Sequence, residues 1–345
     1  MCLLVLAAYT AAAQPSAPPA ALPISSGPRL GVIDFYGRNR VGEDLLRKAL
    51  GFKEGDLLPR SKGDVEEALE EVKDVVAARL EAACCEDGKA IVYVGVEERG
   101  APHFDYNTPP IGEARLSEEI HSEYGAFLGA VQKAIRSGPL QEHFAEGHSL
   151  MENAEAYAHQ LRFVELARDH LQLLRDVLRE SGSEEHRAIA AYIIGYAPKK
   201  KDVVNDLQAA LRDPDDTVRN NAMRAVGAIA VLAAKDPAQE IQVLPTWFIE
   251  ALDSLIWQDK MTAAATLVTL TETRPARVLE HLKERALPSL AAMARWRHLP
   301  HALPAFILIG RIHGIPEPEI QKAWSEGRRE AFLDGLLRPL PARKK

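Results

Sequence analysis

The chain has 345 residues, 47% hydrophobic and 26% charged, with aromatics at only 6% and a formal charge of −7. That length leaves room for two or three units that each bury a core, in a composition ordinary for a soluble protein. The acidic balance argues against nucleic acid, which rewards clustered Lys and Arg, and the one basic cluster is the terminal "RPLPARKK".

The opening "MCLLVLAAYTAAAQPSAPPAALP" differs from all that follows. An uncharged apolar run ends in Ala11-Ala12-Ala13 before Gln14, the pattern of a signal peptide's apolar region and small-residue cleavage site, although the basic start is missing. It falls short of the roughly 20 apolar residues a bilayer span needs. Residues 1–13 are read as a signal peptide and 14–27 as a Pro/Ala-rich linker. The expectation is an exported, periplasmic or otherwise extracytoplasmic, mature chain without a transmembrane segment. Cleavage would leave only Cys84 and Cys85, adjacent in an expected strand and so pointing apart, which suits buried strand cysteines better than a redox pair.

From residue 28 to 100 the patterning alternates between two periods. "RLGVIDFY" is β-branched and aromatic, and Gly37 closes it. Val41, Leu45 and Ala49 recur at helical spacing, as do Val65, Leu69, Val72 and Val76 after "FKEGDLLPR". Val76, Ala78, Leu80, Ala82 and Cys84 then alternate as one strand face, "EDGK" makes a hairpin turn, and "AIVYVGVEE" is a second strand with Val92, Val94 and Val96 on one face. The predicted fold is a small α+β domain of order βααββ. That order, with Gly37 after the first strand, "KEGD" between the helices and "VGVEE" at the end, resembles the POTRA (polypeptide-transport-associated) domain. The resemblance implies an extracytoplasmic protein-interaction module, often near outer-membrane assembly machinery, that can pair a partner strand with an open sheet edge. Here that edge would be Val75–Cys85. With one such domain and no run of barrel strands, the chain is not itself a barrel.

Residues 101–155 read as a connector. "PHFDYNTPPIGE" is a loop, and Leu116, Ile120, Phe127, Val131 and Ile135 give a helix broken near Gly125. In "SGPLQEHFAEGHSLMEN", Glu142, His143, Glu146 and His148 crowd together. The two histidines are five apart around Gly147, whereas a zinc helix wants them four apart, so a polar loop is expected and no metal.

Beyond that, residues 156–315 are helical. Leu161, Val164, Leu171, Leu174 and Leu178 mark one long amphipathic helix, and Ser183 caps the next. His186-Arg187, Ala190 and Gly195 align with Val218-Arg219, Ala222 and Gly227 at a period of about 32 residues. Weaker copies at a period of about 42 surround Ala263–Leu270 and Ala305–Ile312, each preceded by an apolar helix (Val203–Leu211, Thr246–Trp257 and Val278–Met293). In "LRDPDDTVRNNAMRAVGAIA", Pro214 pushes Asp213 out of helical geometry and Asp215 or Asp216 caps the restart. Ala222 and Gly227 stay small so that helices can approach. These residues resemble HEAT repeats, an all-α solenoid. The resemblance implies that Arg187 and Arg219 pair with a turn aspartate, Asp213 or Asp215, and that the copy at Met261 lacks its arginine. "ARWRHLPH" offers Arg295, Trp296 and Arg297 either as a recognition surface or as a turn with its Trp in the core. Residues 316–345 complete the chain as two capping helices and a basic tail.

The functional expectation is a non-catalytic exported scaffold that binds a protein or peptide of the cell envelope, without cofactor or nucleic acid. The alternatives are an enzyme or metal- or chromophore-handling relative of the HEAT-like families, and an accessory factor in outer-membrane protein assembly.

Overall fold

The run Leu30–Tyr36 forms strand β1 in the computed structural model, which describes residues 28–138 and 140–337. The leader, the tail and the side chains of Cys84 and Cys85 lie outside the described residues. Helix α1 (Glu43–Leu50) follows, and helix α2 (Lys62–Glu70) starts where the Ser61 hydroxyl accepts from the Asp64 N–H. Strands β2 (Val75–Glu86) and β3 (Lys89–Glu98) meet at an Asp87-Gly88 turn. The order is β1-β3-β2, with β1 parallel and β2 antiparallel to the central β3. One face of the sheet sends Ile33, Phe35, Val92, Val94 and Leu80 into a core with Leu46, Leu50, Val65 and Leu69.

The expected inward face of β2 holds at Ala78 and Leu80, both buried, but a bulge between Val75 and Ala77 shifts the alternation at its start, so Val75 is buried and Val76 is 41% exposed. Glu98, at the end of β3, is almost wholly buried and accepts from the backbone N–H groups of Asn39, Arg40 and Val41. Burial pushes its pKa up, but those bonds prevail and hold the carboxyl below the ordinary range.

The chain divides into two units, one of residues Asp105–Trp247 and one that joins residues 28–104 to 248–337. In the first, α3 (Glu118–Ser137) is an unbroken helix through Gly125, because no side chain or proline interrupts its ladder. The expected polar loop after it is a hairpin, β4 (Glu142–Ala145) with β5 (His148–Met151), whose turn residues Glu146 and Gly147 both take positive φ. That is the backbone a two-residue hairpin needs. The expected long helix is two, α4 (Ala154–Asp169) and α5 (Leu171–Glu180), parted at His170, and Leu161 is 46% exposed. Then come α6 (Glu184–Ile194), α7 (Lys200–Ala210) and α8 (Asp216–Lys235). Helices α5 and α7 share one layer, and α6 and α8 the other. A Cβ on Gly195 would sit 2.7 Å from that of Ala225, so the close approach of α6 to α8 rests on Gly195.

In the second unit, α9 (Thr246–Ala251) stops well before Trp257, which instead opens α10 (Trp257–Leu270). The expected helix Val278–Met293 is two, α11 (Ala276–Arg285) and α12 (Leu287–Met293). Helix α13 (Leu299–Ile312) carries Pro304 inside it and packs against α10, α12 and the closing pair α14 (Glu317–Ser325) and α15 (Arg329–Leu337).

These helices meet the second face of the sheet. Tyr93 stacks on Trp257 at 4.8 Å and touches Trp296 at 4.9 Å, while its hydroxyl lies 2.6 Å from His301 Nδ1. Tyr36 packs its edge on Trp296 and donates to the Leu255 carbonyl at 2.7 Å. Asp34 accepts from the Arg297 N–H and Nε, and Glu81 from the Trp257 N–H. Gly95 makes room for the arrangement, because a Cβ there would lie 2.6 Å from the Tyr36 ring. Gly95→Ala is therefore expected to lower stability by about 1–3 kcal/mol, the usual toll of overpacking. Urea unfolding read by tryptophan fluorescence measures it, and an unchanged midpoint would refute the packing.

Candidate functional site

The turns between paired helices hold the charged residues that the sequence singles out. At the first, Ser181 Oγ accepts from the Ser183 N–H and Ser183 caps α6 on the His186 N–H. At the second, Asp213 Oδ1 accepts from the Asp215 N–H at 2.9 Å and Asp215 caps α8 on the Val218 N–H at 2.9 Å. At the third, Ser254 Oγ accepts from the Ile256 N–H at 3.0 Å. One device recurs: a short oxygen-bearing side chain folds the turn by taking the amide two residues on.

Arg187 reaches across these turns. It donates to the Ser181 carbonyl of its own turn at 2.9 Å and grips Asp213 of the next with two bonds of 2.8 Å. Both side chains are buried, so this is a fork-to-fork pair in a site of low dielectric. Burial opposes the charge on Arg187, yet Asp213 raises its pKa above the ordinary value. Arg219 makes the corresponding reach to the Asp213 carbonyl at 2.8 Å and lies 4.3 Å over the Tyr106 ring. Asp215 is not part of the grip, and burial raises its pKa.

Helix α10 lacks the arginine, as expected, but buries a lysine. Lys260, three residues before Ala263 as Arg219 is before Ala222, is buried and donates to the Leu252 carbonyl. Burial lowers its pKa to about 8. In α13 Arg311 is buried and pairs with Glu317 at 3.0 Å, where Arg274 also binds. Sequence reasoning missed both, although the spacing to the small residue marks Lys260.

Arg295, Trp296 and Arg297 separate. Trp296 is 2% exposed, Arg295 pairs with Asp334, and Arg297 pairs with Asp34 and Glu54. The turn is engaged inside its own unit, and its tryptophan is core.

The hairpin carries a further concentration of charge. Glu142 pairs with Arg224 of α8, and His148, which is buried, has its Nδ1 3.1 Å from the Lys200 amine, which donates to the Gly195 carbonyl at 2.7 Å. His143 is exposed instead. Beneath the hairpin lies a cavity of about 20 Å³ lined by His148, Ser149, Tyr192, Tyr196, Asn221 and Arg224. That suits a single water molecule. Among the described residues no group of three or more His, Cys, Asp or Glu is arranged to hold a metal, and no helix is long and apolar enough to cross a membrane.

Residues 171–255 match HEAT repeats. The match covers α5 through α9, the segment that holds the Arg187–Asp213 grip and the first three turns. No curated protein matches the chain. Within the matched segment the paired helices lie in two layers, and Arg187 joins one turn to the next.

Two outcomes test these contacts. Asp213→Ala strands a buried guanidinium and opens a turn, so it is expected to cost about 3–5 kcal/mol in chemical denaturation, whereas breaking an exposed pair such as Lys201–Glu240 should leave the midpoint almost unmoved. Burial, then Lys200, lowers the pKa of His148 to about 4 from 6.5. The unfolded chain then binds the proton more tightly, so His148 erodes stability as pH falls from about 6.5 to 4 and has no effect above. His148→Gln should flatten that acid limb by about 1–3 kcal/mol in a pH series of unfolding curves.

Proposed function

We propose that this chain is a protein-binding scaffold whose working surface is its helical repeat. The observation that carries the reading is the match to HEAT repeats over residues 171–255, with buried Arg187 holding one turn against the next. Stacked helix pairs of this kind present a continuous surface of exposed side chains on a rigid frame. Lys201, Asp202, Asn205 and Ala209 are such a set on α7.

The apolar leader and the resemblance of residues 28–100 to a POTRA domain support a partner in the cell envelope, met after export. The role we assign to the sheet is different from strand capture. Its second face is engaged with α10, α12 and α13, so it acts as a partner layer for those helices rather than as a free module.

Photo-crosslinking in cells decides the matter. A photoreactive residue at Asn205 is expected to give a discrete adduct with one envelope protein, and one at Val76 on β2 none. Discrete adducts at Val76 alone would move the binding surface to the sheet, and none at either position would refute the scaffold.

A further inference from the structure

Strand β2 is an edge of the three-stranded sheet, and along an edge every second backbone N–H faces away from the neighbouring strand. On β2 the N–H groups of Ala78 and Leu80 do not go unanswered. Glu70 Oε1 accepts from Ala78 at 2.9 Å, and Glu66 Oε1 accepts from Leu80 at 2.7 Å. The two glutamates are four residues apart on α2 and so share one helix face, while Val65 and Leu69 fix the helix in the core. Lys62 lies 3.6 Å from Glu66 and steadies its carboxylate. Two acceptors spaced at alternate residues of β2 are what a pairing strand would itself present. The helix imitates the missing strand.

The opposite edge is also engaged. The Leu30 N–H donates to the Asp56 carbonyl, the Gly55 N–H donates to the Leu30 carbonyl, and the Ile33 carbonyl accepts from Arg297.

A strand that needs guarding is one that would otherwise pair, and the sequence of β2 suits pairing with itself. Two copies set antiparallel about Leu80 would place Arg79 opposite Glu81 twice, and Ala78 opposite Ala82. Opposite charges facing each other across strands are favourable, and small residues beside them cause no clash. We propose that Glu66 and Glu70 are edge guards, which occupy the outward amides of β2 and so prevent its antiparallel pairing with β2 of a second copy of this chain.

The test compares full-length Glu66→Ala/Glu70→Ala with Glu66→Gln/Glu70→Gln, which keeps both carbonyl oxygens. Hydrogen exchange and mass by light scattering are read across a concentration series. In the alanine pair, the dilute protein is expected to exchange the Ala78 and Leu80 amides about tenfold faster than the parent. As concentration rises it should form dimers in which those amides are protected again. The glutamine pair should keep the parent's protection and mass. The proposal fails if the alanine pair keeps the parent's protection, loses it without associating, or associates with the two amides still exposed. Association of the glutamine pair also overturns it. Should the alanine pair unfold, each single alanine variant carries the same reading at its own amide.

Discussion

A helix that begins inside a protein brings four backbone N–H groups with no partner in the helix, and each must find an acceptor or water. That demand shapes the turns between the paired helices. A chain of short paired helices begins many helices, so its turns are where oxygen atoms are most needed. Ser181, Ser183, Asp213, Asp215 and Ser254 meet the need locally. Where the helical sequence supplies no such side chain, as at Trp257, the acceptor comes from the sheet as Glu81, and Asp34 likewise takes the Arg297 N–H just ahead of α13. One constraint thus links the turns to the packing of residues 28–104 on 248–337.

How much of this the sequence discloses depends on whether a feature is local. The turn "DPDD" is legible because proline and aspartate act within four residues of themselves. The HEAT match over residues 171–255 agrees with the reading made from that stretch. The bulge at Val75 is not legible, since it depends on how β2 registers with β3. Nor is the break at His170, where the apolar spacing runs on although the backbone turns out of the helix. The hairpin at Glu142–Met151 is hidden for a different reason: a Glu-Gly turn is a weaker signal than Asn-Gly, and its strands are only four residues long.

The second layer on the sheet left a trace that the reading of alternate valines passed over. Ile91–Val96 is "IVYVGV", apolar at every position, and β3 is buried along nearly its full length. A strand with one wet face alternates, whereas an uninterrupted apolar run means cover on both sides. Tyr93 and Gly95, the residues off the valine face, are the ones that meet Trp257, Trp296 and Tyr36. The same logic separates Trp296 from the arginines beside it. A tryptophan flanked by charges looks like a recognition cluster in one dimension, but only the arginine heads can remain wet once the indole enters the core.

Buried charge sets what such a frame can do. Arg187, Lys260 and Arg311 are each expensive to desolvate and each is matched by a carboxylate or a carbonyl, so none is idle. A matched buried pair adds little net stability over an apolar one, but it penalises every arrangement in which the partners miss each other. For a stack of similar helix pairs, whose greasy faces could slide by a turn at small cost, that penalty selects the register. The guarding of β2 by Glu66 and Glu70 follows the same economy in the sheet. Groups that would accept a wrong partner are given a right one within the chain, and the surface left for recognition is the one made of exposed side chains.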